Sequence, residues 1–86
     1  MKIVFHRDFE KALRKLPPQV REQTAVRIAL FAKDPIDTKL RNHALKAQYR
    51  GYRSIDITGD YRAIYRLIGN STAIFTHIGT HSQQYR

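Results

Sequence analysis

His43, His77 and His81 carry the clearest chemical potential in this 86-residue chain, because imidazole, with an ordinary pKa of about 6.5, both takes and gives a proton near neutral pH. They stand in a segment, Lys39 to Tyr85, that is also rich in arginine and tyrosine. Its first fifteen residues, Lys39 to Arg53, carry five Lys or Arg, one His and no acid. Cations that hold a polyanion beside imidazoles that move protons suit the breaking of a phosphodiester bond in RNA. That reaction, run without a metal, needs a base for the 2′-hydroxyl, cations for the phosphorane and an acid for the departing 5′-oxygen. A fourth histidine, His6, falls at the start of the first expected helix, away from this segment, and reads as structural.

Arg53, Arg62 and Arg66, with Lys46 and Arg50 from the preceding loop, are the candidates for holding phosphate, since a guanidinium fork contacts two phosphate oxygens at once. Arg53 and Lys46 are favoured, and Arg66 reads as a solvent or partner contact. Strand alternation puts Tyr52 and Arg53 on opposite sides, so one side cannot use both without a bulge. Tyr49, Tyr52, Tyr61 and Tyr65 offer rings on which bases can stack, although in so small a domain most tyrosines, Tyr52 and Tyr65 among them, are expected in the core. His77 and His81 are four apart, which invites a metal reading. Gly79 between them and the β-rich residues before them argue against a helix that would bring both rings to one face, and no HExxH sequence is present. No metal and no cofactor are expected.

Eighty-six residues make a single domain, 1–86, with a small core. The absence of cysteine excludes a disulfide framework and a thiolate zinc site. The longest unbroken apolar run, Ile28 to Ala32, is far short of the roughly 20 residues that cross a bilayer. The N-terminus is charged every few residues, unlike a secretory signal, so a cytoplasmic protein with no membrane partner is expected. Sixteen basic and seven acidic residues give a formal charge of +9, shared between residues 1–35 (eight basic, four acidic, +4) and residues 36–86 (eight basic, three acidic, +5). A domain this cationic is expected to meet nucleic acid, a ribosome or an acidic protein.

The elements that must position these side chains are readable in part. Lys2 to Phe5 reads as a strand. From Asp8 a helical pattern follows, its stripe made of Phe9, Ala12, Leu13 and Leu16, and Pro17-Pro18 ends it. A second helix is expected from about Pro18 to Lys33, stopped by Asp34-Pro35. Its latter half is apolar nearly all round, which fits burial on more than one side. Residues Ile36 to Gly51 lack periodicity and read as mostly loop. Strands are expected at Tyr52 to Ile57, Tyr61 to Ile68 and Thr72 to Ile78, joined by turns at Thr58-Gly59-Asp60 and Gly69-Asn70, with Gly79 breaking the last. The sum is an α+β domain: an N-terminal strand, two helices, a three-strand antiparallel meander and a short C-terminal tail or helical turn.

Four pieces in order, His43-x-Leu45, Gly51-Tyr52-Arg53, Asp60-Tyr61 with the following Ile64-Tyr65-Arg66, and Gly79-Thr80-His81 with a terminal aromatic, give the whole chain a family likeness. It resembles the RelE/ParE superfamily of type II toxin–antitoxin toxins, and within it the YafQ-like and RelE/StbE-type mRNA interferases. The resemblance implies a RelE-like, microbial-RNase-like fold whose sheet, loops and tail bind mRNA in the ribosomal A site. It also implies cutting of the message there, and a cognate antitoxin protein that neutralises the toxin in a hetero-oligomer. His43 matches a functional histidine of the pattern, Asp60 an acid, His81 the tail histidine and Tyr85 the terminal aromatic, while Tyr61 stands where better-known members have tryptophan. Two positions depart: Asp56 replaces a strand histidine and His77 an arginine. His81 is therefore expected to act as general acid or to share in proton shuttling, with Tyr85 stacking on a base or hydrogen-bonding nearby. Asp56, Asp60 and His43 compete for the base. Asp60 is also readable as an orienter of an imidazole or as a simple turn residue. A ParE-like toxin directed at DNA gyrase would need no proton donors, and a non-catalytic RNA- or partner-binding module would tolerate loss of His81.

Overall fold

Pairing of the first strand with the last organises the chain. The computed structural model describes residues 1–84, so Tyr85 lies outside the described residues. Strand β1 (Lys2–Phe5) runs parallel to β5 (Thr72–Thr80), β5 is antiparallel to β4 (Tyr61–Ile68), β4 to β3 (Arg53–Asp56) and β3 to β2 (His43–Ala44). The resulting five-stranded mixed sheet has the order β1-β5-β4-β3-β2. Between β1 and β2 lie helices α1 (Arg7–Arg14) and α2 (Pro18–Lys33), and a one-turn helix α3 (His81–Gln84) follows β5.

Local chemistry sets the helix ends. His6 caps α1 through Nδ1, which accepts the Asp8 N–H at 3.0 Å, and Asp8 and Glu10 complement the helix dipole in the first turn. Pro18 opens α2, where its missing N–H leaves no intrahelical bond unmade. The apolar faces of both helices, with Phe9 and Phe31 fully buried, cover one face of the sheet. There they meet Ile55, Ala63, Tyr65, Ala73, Phe75 and Ile78. Phe31, Tyr65 and Phe75 pack as rings with centroids 4.7–5.3 Å apart. Burying each ring contributes about 1.5–3 kcal/mol.

Two expectations are corrected. Residues 36–51 are not mostly loop: they form 3-10 turns at Thr38–Leu40 and Ala47–Tyr49 and the short edge strand β2, pinned by buried Leu40 and Leu45. A two-residue strand has no period to detect, and tertiary pairing alone creates it. Nor does Gly79 break the last strand. It is paired opposite Arg62, with Ile78 opposite Ala63 and Thr80 opposite Tyr61, so the ladder continues through it. Thr76 is the extra residue of a bulge between Ile64 and Tyr65.

Directly opposed residues share a face. His43, Ser54, Ile64 and His77 therefore form one row on the face away from the helices, and Asp56, Arg62 and Gly79 the next.

Candidate active site

Asp56 and Arg62, opposed across β3 and β4, anchor the site. Their side chains are only 15% and 16% exposed, so the contact between Arg62 Nε and Asp56 Oδ1, at 3.0 Å, is a shielded ion pair. The other carboxylate oxygen, Oδ2, faces Arg41 Nε at 3.6 Å. Arg41 reaches it from a left-handed backbone conformation, φ 47°, that ends the turn at Thr38–Leu40. Beyond Arg62, a guanidinium N–H donates to Nδ1 of His81. His81 is itself fixed by its backbone N–H, which donates to the Asp60 carbonyl at 3.0 Å. A continuous chain, Arg41–Asp56–Arg62–His81, thus crosses one end of the sheet. It borders a groove of about 570 Å³ lined by Gly59, Asp60, Tyr61, Arg62, Thr80, His81 and Ser82.

Two imidazoles stand at the ends of this chain, His81 bonded to Arg62 and His43 to the Arg41 carbonyl, and their partners decide where their protons sit. The Arg41 carbonyl, 2.8 Å from His43 Nδ1, can only accept, so Nδ1 carries the hydrogen and Nε2 presents a lone pair. A guanidinium can only donate, so Nδ1 of His81 accepts and Nε2 carries the hydrogen. One ring is thereby arranged to take a proton through Nε2 and the other holds its proton there.

The remaining candidates separate by position. Asp60 is exposed in the β3–β4 turn, and its carboxylate makes no hydrogen bond or ion pair among the described residues. Tyr61 lines the groove and also packs on the core from the helix side. Lys46 and Arg50 are exposed in and beside the turn at Ala47–Tyr49. Arg53 does not join the site in this structure. Its register with Tyr65 assigns it to the helix-covered face, where its Nε donates to Asn42 Oδ1 at 2.8 Å and Asn42 in turn binds the Tyr65 hydroxyl at 2.7 Å. Tyr65 is a core residue, as expected in so small a domain, whereas Tyr52, expected there too, is only half-buried and lies outside the core. His77 shares the face of Arg62 but lies one row away. Partial desolvation lowers its pKa from the ordinary value, with the Asp8 carboxylate opposing that shift and His6 reinforcing it.

Two residues of this face escaped the sequence reading. Arg41 was visible only as one cation among five, and its pairing depends on a backbone conformation that its type does not announce. Ser54, fully buried beside the His43 position, has an Oγ without a hydrogen-bond partner among the described residues. Among the described residues no three His, Asp or Glu side chains converge as metal ligands, and no helix is long and apolar enough to cross a membrane.

Two helices on one face of a five-stranded mixed sheet, with a basic and histidine-bearing opposite face, define an α+β fold shared with solved toxins. YafQ from E. coli superposes with a TM-score of 0.78 at 20% identity, covering 99% of this chain and 98% of that one. A YoeB/ParE toxin from Agrobacterium tumefaciens gives a TM-score of 0.78 at 21% identity, with coverages of 94% and 99%. The toxin–antitoxin complex RelBE2 from Mycobacterium tuberculosis gives 0.66 at 23%, with coverages of 93% and 96%. Identities this low carry the fold alone. No curated protein sequence matches. The family model for YafQ, the bacterial toxin of type II toxin–antitoxin systems, matches residues 1–86, and the chain belongs to that family.

Proposed function

We propose that the chain is an mRNA interferase, an endoribonuclease that cuts message on the ribosome by attack of the ribose 2′-hydroxyl and needs no metal. The observation that carries the reading is a pair of imidazoles with complementary tautomers at the two arginines of Asp56, His81 bonded to the Arg62 guanidinium and His43 to the Arg41 carbonyl. An in-line displacement needs its base and its acid on opposite sides of the phosphate. With the scissile phosphate on Arg62, Nε2 of His43 takes the 2′-hydroxyl proton and the 2′-oxygen attacks phosphorus. Arg62 and Arg41 stabilise the charge that develops on the phosphorane oxygens. The bond to the 5′-oxygen breaks, leaving a 2′,3′-cyclic phosphate, and His81 delivers a proton from Nε2 to the departing oxygen. Transfer of Arg62 from His81 to the phosphate frees Nδ1 of that ring for a second proton, so arrival of substrate loads the acid.

Asp56 is then not the base. Both of its oxygens engage guanidinium groups, which makes it the residue that aims Arg62 and Arg41. Asp60 serves through its carbonyl, which fixes the start of α3 and with it His81. Lys46 and Arg50 hold the message by its backbone, without sequence preference. The proposed partners are mRNA in the ribosomal A site and, as in the RelBE2 complex, a cognate antitoxin protein. An acidic antitoxin suits a surface of charge +9. The site of action is the cytoplasm, where message is translated. At matched expression the wild-type chain should arrest growth and cut mRNA on translating ribosomes, and His81→Gln should do neither. Equal toxicity of the two would remove His81 from the mechanism, and toxicity without RNA cutting would favour a gyrase-directed toxin.

A further inference from the structure

The sheet face that carries Arg62 also carries a second, smaller cavity, of about 280 Å³, further along the strands. Tyr52, Arg66, Thr76 and His77 line it from the sheet side, and His6 and Asp8 close it from the start of α1. Arg66 is four residues from Arg62 on the same face of β4, which separates their Cα atoms by about 13 Å along the strand. A single RNA strand laid on Arg62 and running along this face meets the cavity within its next nucleotides.

The lining fits a flat, polar-edged ring better than a peptide. Tyr49 packs at right angles to both Tyr52 (centroids 6.3 Å, 82°) and His77 (5.6 Å, 84°), bracing them as a fixed aromatic corner. Partial burial favours the uncharged ring of His77, which stacks without a desolvation cost for charge. Among the described residues no hydrogen bond or ion pair engages the Arg66 side chain. Asp8, 72% exposed, offers a carboxylate at the same cavity, a group that accepts from an exocyclic amino group.

We propose that this cavity is a nucleobase subsite. An unstacked base of single-stranded RNA, close in sequence to the phosphate held at Arg62, stacks on Tyr52 and His77. The Asp8 carboxylate accepts a hydrogen bond from its amino group, and Arg66 holds the adjoining phosphate. The subsite extends the ribonuclease reading and rests on it. It selects bases that carry an amino group, adenine, cytosine and guanine, over uracil.

The test is a titration of the full chain with short single-stranded oligoribonucleotides made uncuttable by 2′-O-methylation, following the ring signals of all four histidines by NMR. The expected result is movement of His6 and His77 together with His43 and His81, and tighter binding of an oligoadenylate than of an oligouridylate. Tyr52→Ala and Arg66→Ala should each weaken binding about fivefold or more, whereas Tyr52→Phe, which keeps the ring, should bind as the wild type does. Asp8→Asn should narrow the gap between the two oligonucleotides. Movement of His43 and His81 with His6 and His77 unmoved would overturn the subsite and leave the ribonuclease reading standing, with the cavity then belonging to another occupant such as a protein partner. No movement of any ring would overturn both.

Discussion

Asp56 shows how neighbours decide the work of a carboxylate. In sequence the family resemblance puts it in the place of a strand histidine, which makes it a candidate for the general base. In the fold it is held between Arg62 and Arg41, which occupies both oxygens. Asp56→Asn should therefore slow RNA cutting while the acidic limb of the pH–rate profile persists, because the base is elsewhere. Disappearance of that limb would return the role to Asp56. The same substitution should lower stability by roughly 1–3 kcal/mol in urea unfolding, since it weakens a shielded, charge-assisted bond. His77 gives a second prediction at this scale. Its folded pKa lies below the ordinary 6.5, so below that pH the unfolded chain binds more protons than the folded one. The contribution is complete above pH 6.5 and is lost as pH falls toward and through the lowered value. The wild type should lose more stability than His77→Gln between pH 7.5 and 5.5, and equal losses would contradict the assignment. Roles, unlike residue types, were not legible. His43, Asp56, Arg62 and His81 were all nameable from the chain, but not which contacts they make, and alternation parted Tyr52 from Arg53 without telling which side the helices cover.

At the scale of elements, the helices and the meander could be read because their signals are local. The stripe from Phe9 to Leu13, the prolines at 17 and 18 and the alternation in β4 each act within one segment. Strand β2 and the parallel pairing of β1 with β5 could not, since both depend on contacts distant in sequence. Gly51 links the two kinds. It leads from the turn at Ala47–Tyr49 into β3 with φ 92°, a conformation other residues resist, although the space around its Cα is open. Gly51→Ala should cost about 1–2 kcal/mol by backbone strain alone, measurable as a lower urea midpoint. An unchanged midpoint would mean that the turn re-forms around the substitution. The segment bears on the proposed mechanism because β2 carries His43, and its pairing with β3 sets that residue in the row beside Asp56 and Arg62.

For the whole molecule, a charge of +9 on a small fold sets long-range attraction to polyanions, and in the proposed function the sheet face converts attraction to RNA into alignment. Composition showed the first. Only the register, which gathers His43, Asp56, Arg62 and His77 onto one face, gives the second. Val26, Phe5, Leu67 and Ile68 remain exposed to 42–55%, and Ile36 to 81%, an apolar complement to the cationic surface that a bound antitoxin would cover. The central claim, that this face cuts RNA through the 2′-hydroxyl, is tested most directly by the chemistry of the cut ends. Translating ribosomes treated with the purified toxin should yield mRNA fragments ending in 2′,3′-cyclic phosphate or 3′-phosphate, with 5′-hydroxyl on the downstream piece. Intact message or 5′-phosphate ends would contradict the account.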